Sequence, residues 1–303
     1  MKRAMEKFEQ RAHAVNSLLC VGLDPELERI PSRFRSQPHP FFAFNRWIIE
    51  QTHPYAAAYK PNMAFFEARG VEGLRELHLT MEYLRQEHPD IFTICDAKRG
   101  DIGNTNRGYA ASIFDAMGFD AVTLHPYLGR EALLPFLERE DKVSIVLCRT
   151  SNPGAGELQD LNCNGAPLWE TVARQVAAEW NFASNCMLVV GATYPEEMRR
   201  IREIAPEIPF LVPGVGAQGG DVAAVVAAGL RGVGLAGRAL DAAPADDSAS
   251  ALRPKPAGLL INSSRGILFA AQPDMAASSL RDEINAAREA VSQAKQGGTH
   301  AAS

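Results

Sequence analysis

The chain has 303 residues, of which 46% are hydrophobic and 22% charged, and its formal net charge is −5 at pH 7. That balance excludes a wholly disordered chain and lacks the basic footprint of a nucleic-acid binder. No run reaches the roughly 18 apolar residues that a membrane helix requires, so a cytoplasmic protein with neither nucleic-acid nor membrane partners is expected.

Residues 1–17 open with Lys2 and Arg3, but Glu6 and Glu9 interrupt them and no apolar run follows. The segment therefore reads as an N-terminal helical extension covering one end of a domain, not as a leader. From residue 18 the pattern alternates. Short apolar, β-branched runs at 18–23, 55–59, 91–95, 121–124, 143–147, 187–190, 210–212 and 259–261 read as strands. Between them, helical spacing occurs at 41–51, 73–85, 105–117, 130–138, 168–180, 195–204 and 221–228, with 267–271 and 276–294 after the last strand. Eight alternating units predict an α/β fold of the (β/α)8 barrel type, a single domain over 18–295.

Three stretches interrupt the pattern. Residues 151–167 form a long polar loop after the fifth strand, and 237–257, rich in Ala, Asp, Ser and Pro from Asp241 onward, read as a flexible insertion. A disordered tail is expected at 296–303. The five cysteines, Cys20, Cys95, Cys148, Cys163 and Cys186, show no Cys-x-x-Cys spacing and read as reduced thiols, mostly in the core.

A doubly wound open sheet is the rival architecture, and Gly214-Val215-Gly216-Ala217-Gln218-Gly219 invites it as a literal G-x-G-x-x-G. The match follows the seventh strand, not the first. In a barrel, the loops after strands seven and eight commonly bind phosphate, so the glycines fit the barrel as well.

Charges gather where the strands end. Asp96 and Lys98 are two apart on an extended run and so share a face, with Cys95 and Ala97 on the other; Asp101 lies in the following turn. A lone Asp-x-Lys would be a surface pair worth about 0–1 kcal/mol. Here Asp24 closes the first strand and Lys60 the second, and a closed barrel brings all four groups to one mouth. The fifth strand adds Arg149, Thr150 and Ser151, the seventh Pro213 with Gln218 beyond it, and the eighth Asn262, Ser263, Ser264 and Arg265. Arg265, at a helix start beside the glycine loop, has the fork geometry for a phosphate. Lys60 and Lys98 already balance Asp96, which argues against a metal there, and His125 has no second histidine at ligand spacing.

With these residues assembled, the chain resembles the orotidine 5'-phosphate decarboxylase family, of the longer bacterial, type 2 kind. Asp96-Ala97-Lys98-Arg99-Gly100-Asp101-Ile102-Gly103-Asn104-Thr105 fits its D-x-K-x-x-D-I-x-x-T signature, and Pro213 to Gln218 forms a second matching motif. The resemblance implies removal of carbon dioxide from orotidine 5'-phosphate to give uridine 5'-phosphate in pyrimidine synthesis, without metal or organic cofactor. It implies that Lys98 protonates the C6 carbanion, that Asp96 lies against the substrate carboxylate, and that Lys60 and Asp101 complete an alternating charge network. It also implies a homodimer in which Asp101 and Thr105 enter the partner's site. Asp24 and Lys60 would meet the ribose, Ser151 the pyrimidine, and Gln218 and Arg265 the phosphate, with Pro213 and Ser264 beside the nucleotide. Ser264-Arg265 stands where shorter members have Gly-Arg. The rival within the superfamily is a magnesium-dependent sugar-phosphate decarboxylase or aldolase.

Overall fold

The computed structural model describes residues 3–215, 220–230 and 258–299, with side chains as far as residue 294. Among the described residues ten strands form: β1 Leu19–Gly22, β2 Ala58–Lys60, β3 Phe92–Arg99, β4 Ala121–Leu124, β5 Val143–Arg149, β6 Asn162–Cys163, β7 Ala166–Pro167, β8 Cys186–Val190, β9 Phe210–Pro213 and β10 Leu259–Ser263. Eight of them close a parallel barrel in the order β1-β10-β9-β8-β5-β4-β3-β2. Helices cover the outside, so the predicted (β/α)8 barrel is the observed fold.

Strand alternation divides the apolar side chains into two bodies. Val21, Tyr59, Cys95, Val122, Val146, Leu188, Val212 and Ile261 face the helices. Cys20, Ala58, Ile94, Ala121, Ile145, Met187, Leu211 and Leu260 fill the lumen. The N-terminal helix Ala4–Ala14 inserts Phe8 against the lumen residue Phe92, with ring centroids 5.5 Å apart. Burying that ring contributes about 2 kcal/mol and closes the barrel at its strand-start end. The other end is left for the charged strand termini.

The structure departs from the sequence reading in several elements. The helix expected at 105–117 starts at Gly103 and changes to π-helical hydrogen bonding over Ala111–Ala116, as does the one at 168–180 over Val176–Trp180. Residues 151–167 are not one open loop: they hold a 3-10 turn Pro153–Ala155, a helical turn Gly156–Gln159 and the antiparallel pair β6–β7. The final helix runs Pro273–Thr299, so the tail expected from residue 296 begins as helix. All five cysteines are free, and all but Cys163 are buried. Residues 231–257, which include the expected insertion, lie outside the described residues.

One buried cation carries part of this architecture. Arg202, in the helix Pro195–Ile204, is fully buried and donates to the carbonyls of Gly229 (2.8 and 3.0 Å), Ala205 (3.0 Å), Ile208 (2.7 Å) and Gly258 (2.8 Å). Its guanidinium stacks 3.7 Å from the centroid of Phe210 at the start of β9. The side chain thus ties the end of the helix Val222–Gly229 to the residue before β10. Arg202→Leu should destabilise the fold by about 3 kcal/mol or more, because several buried carbonyls lose their donor together. Urea unfolding of the two proteins measures this; a difference under about 1 kcal/mol would show that those carbonyls find other partners.

Candidate active site

At the strand-end mouth of the barrel, Asp96 accepts from two ammonium groups on opposite oxygens. Lys60 Nζ lies 2.8 Å from Oδ2 and Lys98 Nζ 2.7 Å from Oδ1. Asp96 and Lys98 meet at the mouth, while Cys95 and Ala97 are turned toward the helices. The Asp96 side chain is 11% exposed and that of Lys98 50%, so the cluster is buried at Lys60 and open at Lys98.

Burial alone would raise the Asp96 pKa, but the charges of Lys60 and Lys98 outweigh it and hold the carboxyl well below the usual range. Burial likewise depresses Lys60, and Asp96 followed by Asp24 reverses this, so its ammonium is held above the ordinary value. Both stay ionised across the neutral range. Beneath them, burial pushes the Cys20 thiol up to about 12, which keeps it neutral and unreactive.

A second group forms where β1 and β10 end. Asp24 Oδ2 accepts from Ser264 Oγ at 2.7 Å and Oδ1 from the Asn62 amide at 3.1 Å. Gly22 permits this approach: a Cβ there would sit 2.6 Å from the Ser264 Cβ. Ser151 is seated in the same way against Gly191, where an added Cβ would come within 2.9 Å of it. Arg149 is buried in structural ion pairs, 2.8 Å from Asp160 and 3.6 Å from Glu197, with its guanidinium 4.1 Å over Tyr194. Pro213 is the half-buried last residue of β9, and Arg265 is exposed at the start of the short helix Arg265–Leu268.

The structure therefore brings Asp24, Lys60, Asp96, Lys98 and Ser264 to one mouth. It does not bring Asp101 and Thr105 to them within the chain. Asp101 Oδ1 accepts from the Ile102 amide at 2.7 Å, and Thr105 is exposed. The fully buried Asn106 takes the Asp101 amide at 2.9 Å and donates to the Asp101 and Ala132 carbonyls, which fixes the Asp101 turn against the helix Gly129–Leu137. Gln218 lies outside the described residues.

Two participants escaped the sequence reading. Asn62 caps the helix Met63–Glu67 through Ala64 N while its own amide holds Asp24. Thr123 donates from Oγ1 to Asp96 Oδ1 at 2.9 Å. Its two-residue spacing from the lumen-facing Ala121 was the available signal.

The model of the Orotidine 5'-phosphate decarboxylase / HUMPS family matches residues 17–280. The chain belongs to that family. It is 44% identical over 293 residues to the orotidine 5'-phosphate decarboxylase of Cellvibrio japonicus, covering 94% of this chain and 98% of that one. It is 49% identical over 268 residues to the enzyme of the same name from Halorubrum lacusprofundi, covering 88% of each. The solved structure of Leishmania donovani OMP decarboxylase superposes with a TM-score of 0.78 at 39% identity, over 95% of this chain and 99% of that one. Family membership thus covers the barrel from β1 to β10 and the start of the last helix.

Proposed function

We propose that the protein is an orotidine 5'-phosphate decarboxylase, a carbon–carbon lyase that forms uridine 5'-phosphate and carbon dioxide in pyrimidine biosynthesis. The observation that carries this reading is the Lys60–Asp96–Lys98 triad at the barrel mouth, with each carboxylate oxygen of Asp96 held by a separate ammonium group.

The bond from C6 to the carboxyl carbon breaks, carbon dioxide leaves, and the electron pair remains on C6. Lys98 Nζ supplies the proton that quenches it, and the half-exposed side chain regains a proton from solvent. Asp96, already ionised, lies against the departing carboxylate and holds Lys98 in reach. Two opposite charges about 4 Å apart interact by about 4 kcal/mol at an effective dielectric of 20, so one pair is too little for this reaction and a preorganised set is required. Asp24 and Lys60 take the ribose hydroxyls, Ser151 the pyrimidine, and Gln218 and Arg265 the phosphate, while Pro213 and Ser264 line the nucleotide. Binding at the remote phosphate supplies free energy for aligning the reacting carbon.

The working unit in this reading is a homodimer, with Asp101 and Thr105 delivered to the partner's mouth. Ile102, Tyr127 and Leu128 support it: they are 59%, 76% and 44% exposed on the turns around Asp101 and after β4. The two turns meet where Gly100 packs against the His125 ring, and exposed apolar side chains on them fit a surface for a second subunit.

Following the ultraviolet absorbance of orotidine 5'-phosphate with purified protein in excess EDTA tests the activity. Turnover undiminished by EDTA is expected. A folded protein without turnover, or with turnover only on sugar phosphates and magnesium, would overturn the reading.

A further inference from the structure

The backbone around Lys98 is irregular in a way that singles out one neighbour. Lys98 has φ of 47°, in the left-handed region that costs a non-glycine residue about 1 kcal/mol. The β3–β4 pairing runs Ile94↔Ala121 and Cys95↔Val122, then resumes only at Arg99↔Leu124. Asp96, Ala97 and Lys98 therefore bulge out opposite a single residue of β4, Thr123. A bulge of this kind takes its residues out of the regular ladder. The Lys98 amide donates instead to Thr123 Oγ1 at 2.9 Å.

A threonine hydroxyl has one proton to give. Having accepted the Lys98 amide, Thr123 directs its proton to Asp96 Oδ1, at 2.9 Å. The same Oδ1 receives Lys98 Nζ at 2.7 Å. One buried hydroxyl thus closes a small ring through the Lys98 backbone, the Lys98 ammonium and the Asp96 carboxylate. A strained backbone at a reactive lysine persists only where its surroundings over-determine it.

We infer that Thr123 is a positioning residue for the decarboxylation: its hydroxyl holds the left-handed turn that aims Lys98 and orients Asp96 beneath it. This rests on the proposed role of Lys98 as proton donor. Thr123 touches neither the phosphate-side residue Arg265 nor the Asp24–Ser264 pair, so its removal acts on alignment and leaves nucleotide affinity in place.

Thr123→Val keeps the shape and deletes the hydroxyl, and Thr123→Ser restores it. The measurement is kcat and KM for orotidine 5'-phosphate, with calorimetric binding of uridine 5'-phosphate, for wild type, both variants and Lys98→Ala. Thr123→Val should lower kcat about tenfold or more, as expected for a reacting group displaced by a fraction of an ångström. KM and product affinity should stay within about threefold, and Thr123→Ser should return kcat to within about threefold of wild type. A kcat for Thr123→Val within about twofold of wild type, an equal loss of product affinity, or a serine variant as poor as the valine would each overturn the inference. Full activity in Lys98→Ala would instead remove its premise, the role of Lys98, and that result is separable because it does not involve Thr123.

Discussion

Lys98→Ala should lower kcat for orotidine 5'-phosphate by about a thousandfold or more, within the range a positioned general acid contributes, and leave the protein folded. Both halves follow from the same contacts. The Lys98 side chain is half exposed, and Asp96 keeps Lys60 at 2.8 Å and the Thr123 hydroxyl at 2.9 Å when it is gone, so no buried charge is stranded. The substitution therefore differs from cutting a buried pair, which would unfold the site along with the chemistry. With Lys60 still beside Asp96, the mouth remains a place where a carboxylate is flanked by one negative and one positive group, but no ammonium reaches the carbanion. Circular dichroism and uridine 5'-phosphate binding establish that the variant is folded and competent to bind; the absorbance assay gives kcat. A kcat within about tenfold of wild type would place the proton donor elsewhere, with water entering through the open side of Lys98 as the first candidate.

How far the sequence shows this site depends on whether a residue acts through local spacing or through the closed barrel. Eight apolar runs and their helices are legible because the periods of 2 and 3.6 are local properties, and the run at 121–124 is β4 itself. Asp96 and Lys98 are legible for the same reason, being two apart on one strand. The end of β3 is not: the apolar run ends at Cys95 and charges follow, whereas pairing resumes at Arg99 after the bulge. Thr123 within Ala-Val-Thr-Leu looks like any β-branched strand former, and its chemical use appears only when Asp96 and the Lys98 amide arrive from the neighbouring strand. Arg202 is likewise hidden among Arg199, Arg200 and Arg202 of one helix. Two of these reach carboxylates near the surface, and only Arg202 turns inward to carbonyls at two chain crossings. The turn at Asp101 is legible as a motif, whereas its contacts are not: within the chain its carboxylate takes the Ile102 amide and neither lysine.

That last point yields the second large effect. Asp101→Ala should by itself lower kcat/KM by about a hundredfold or more, the order expected when a charge preorganised around a reacting centre is removed. Mixing it with the Lys98→Ala protein, itself nearly inactive, under conditions that allow subunits to exchange should restore activity. In a dimer containing one subunit of each kind, one mouth has lost Lys98 and faces the partner that lacks Asp101. The other mouth keeps its own Lys98 and receives an intact Asp101. Random pairing makes about half of the dimers mixed, each with one whole site of two, so the mixture should reach about a quarter of wild-type activity. The proposed dimer gives the reason to expect exchange of this side chain and not a shared defect. Asn106 and the Ala132 carbonyl fix the Asp101 turn from behind, and Ile102 stands exposed at its tip. Within the chain the Asp101 carboxylate is occupied by the neighbouring Ile102 amide, not by either lysine. If Asp101 served its own mouth, every site in every dimer would carry one of the two lesions, and the mixture would remain as inactive as its parents.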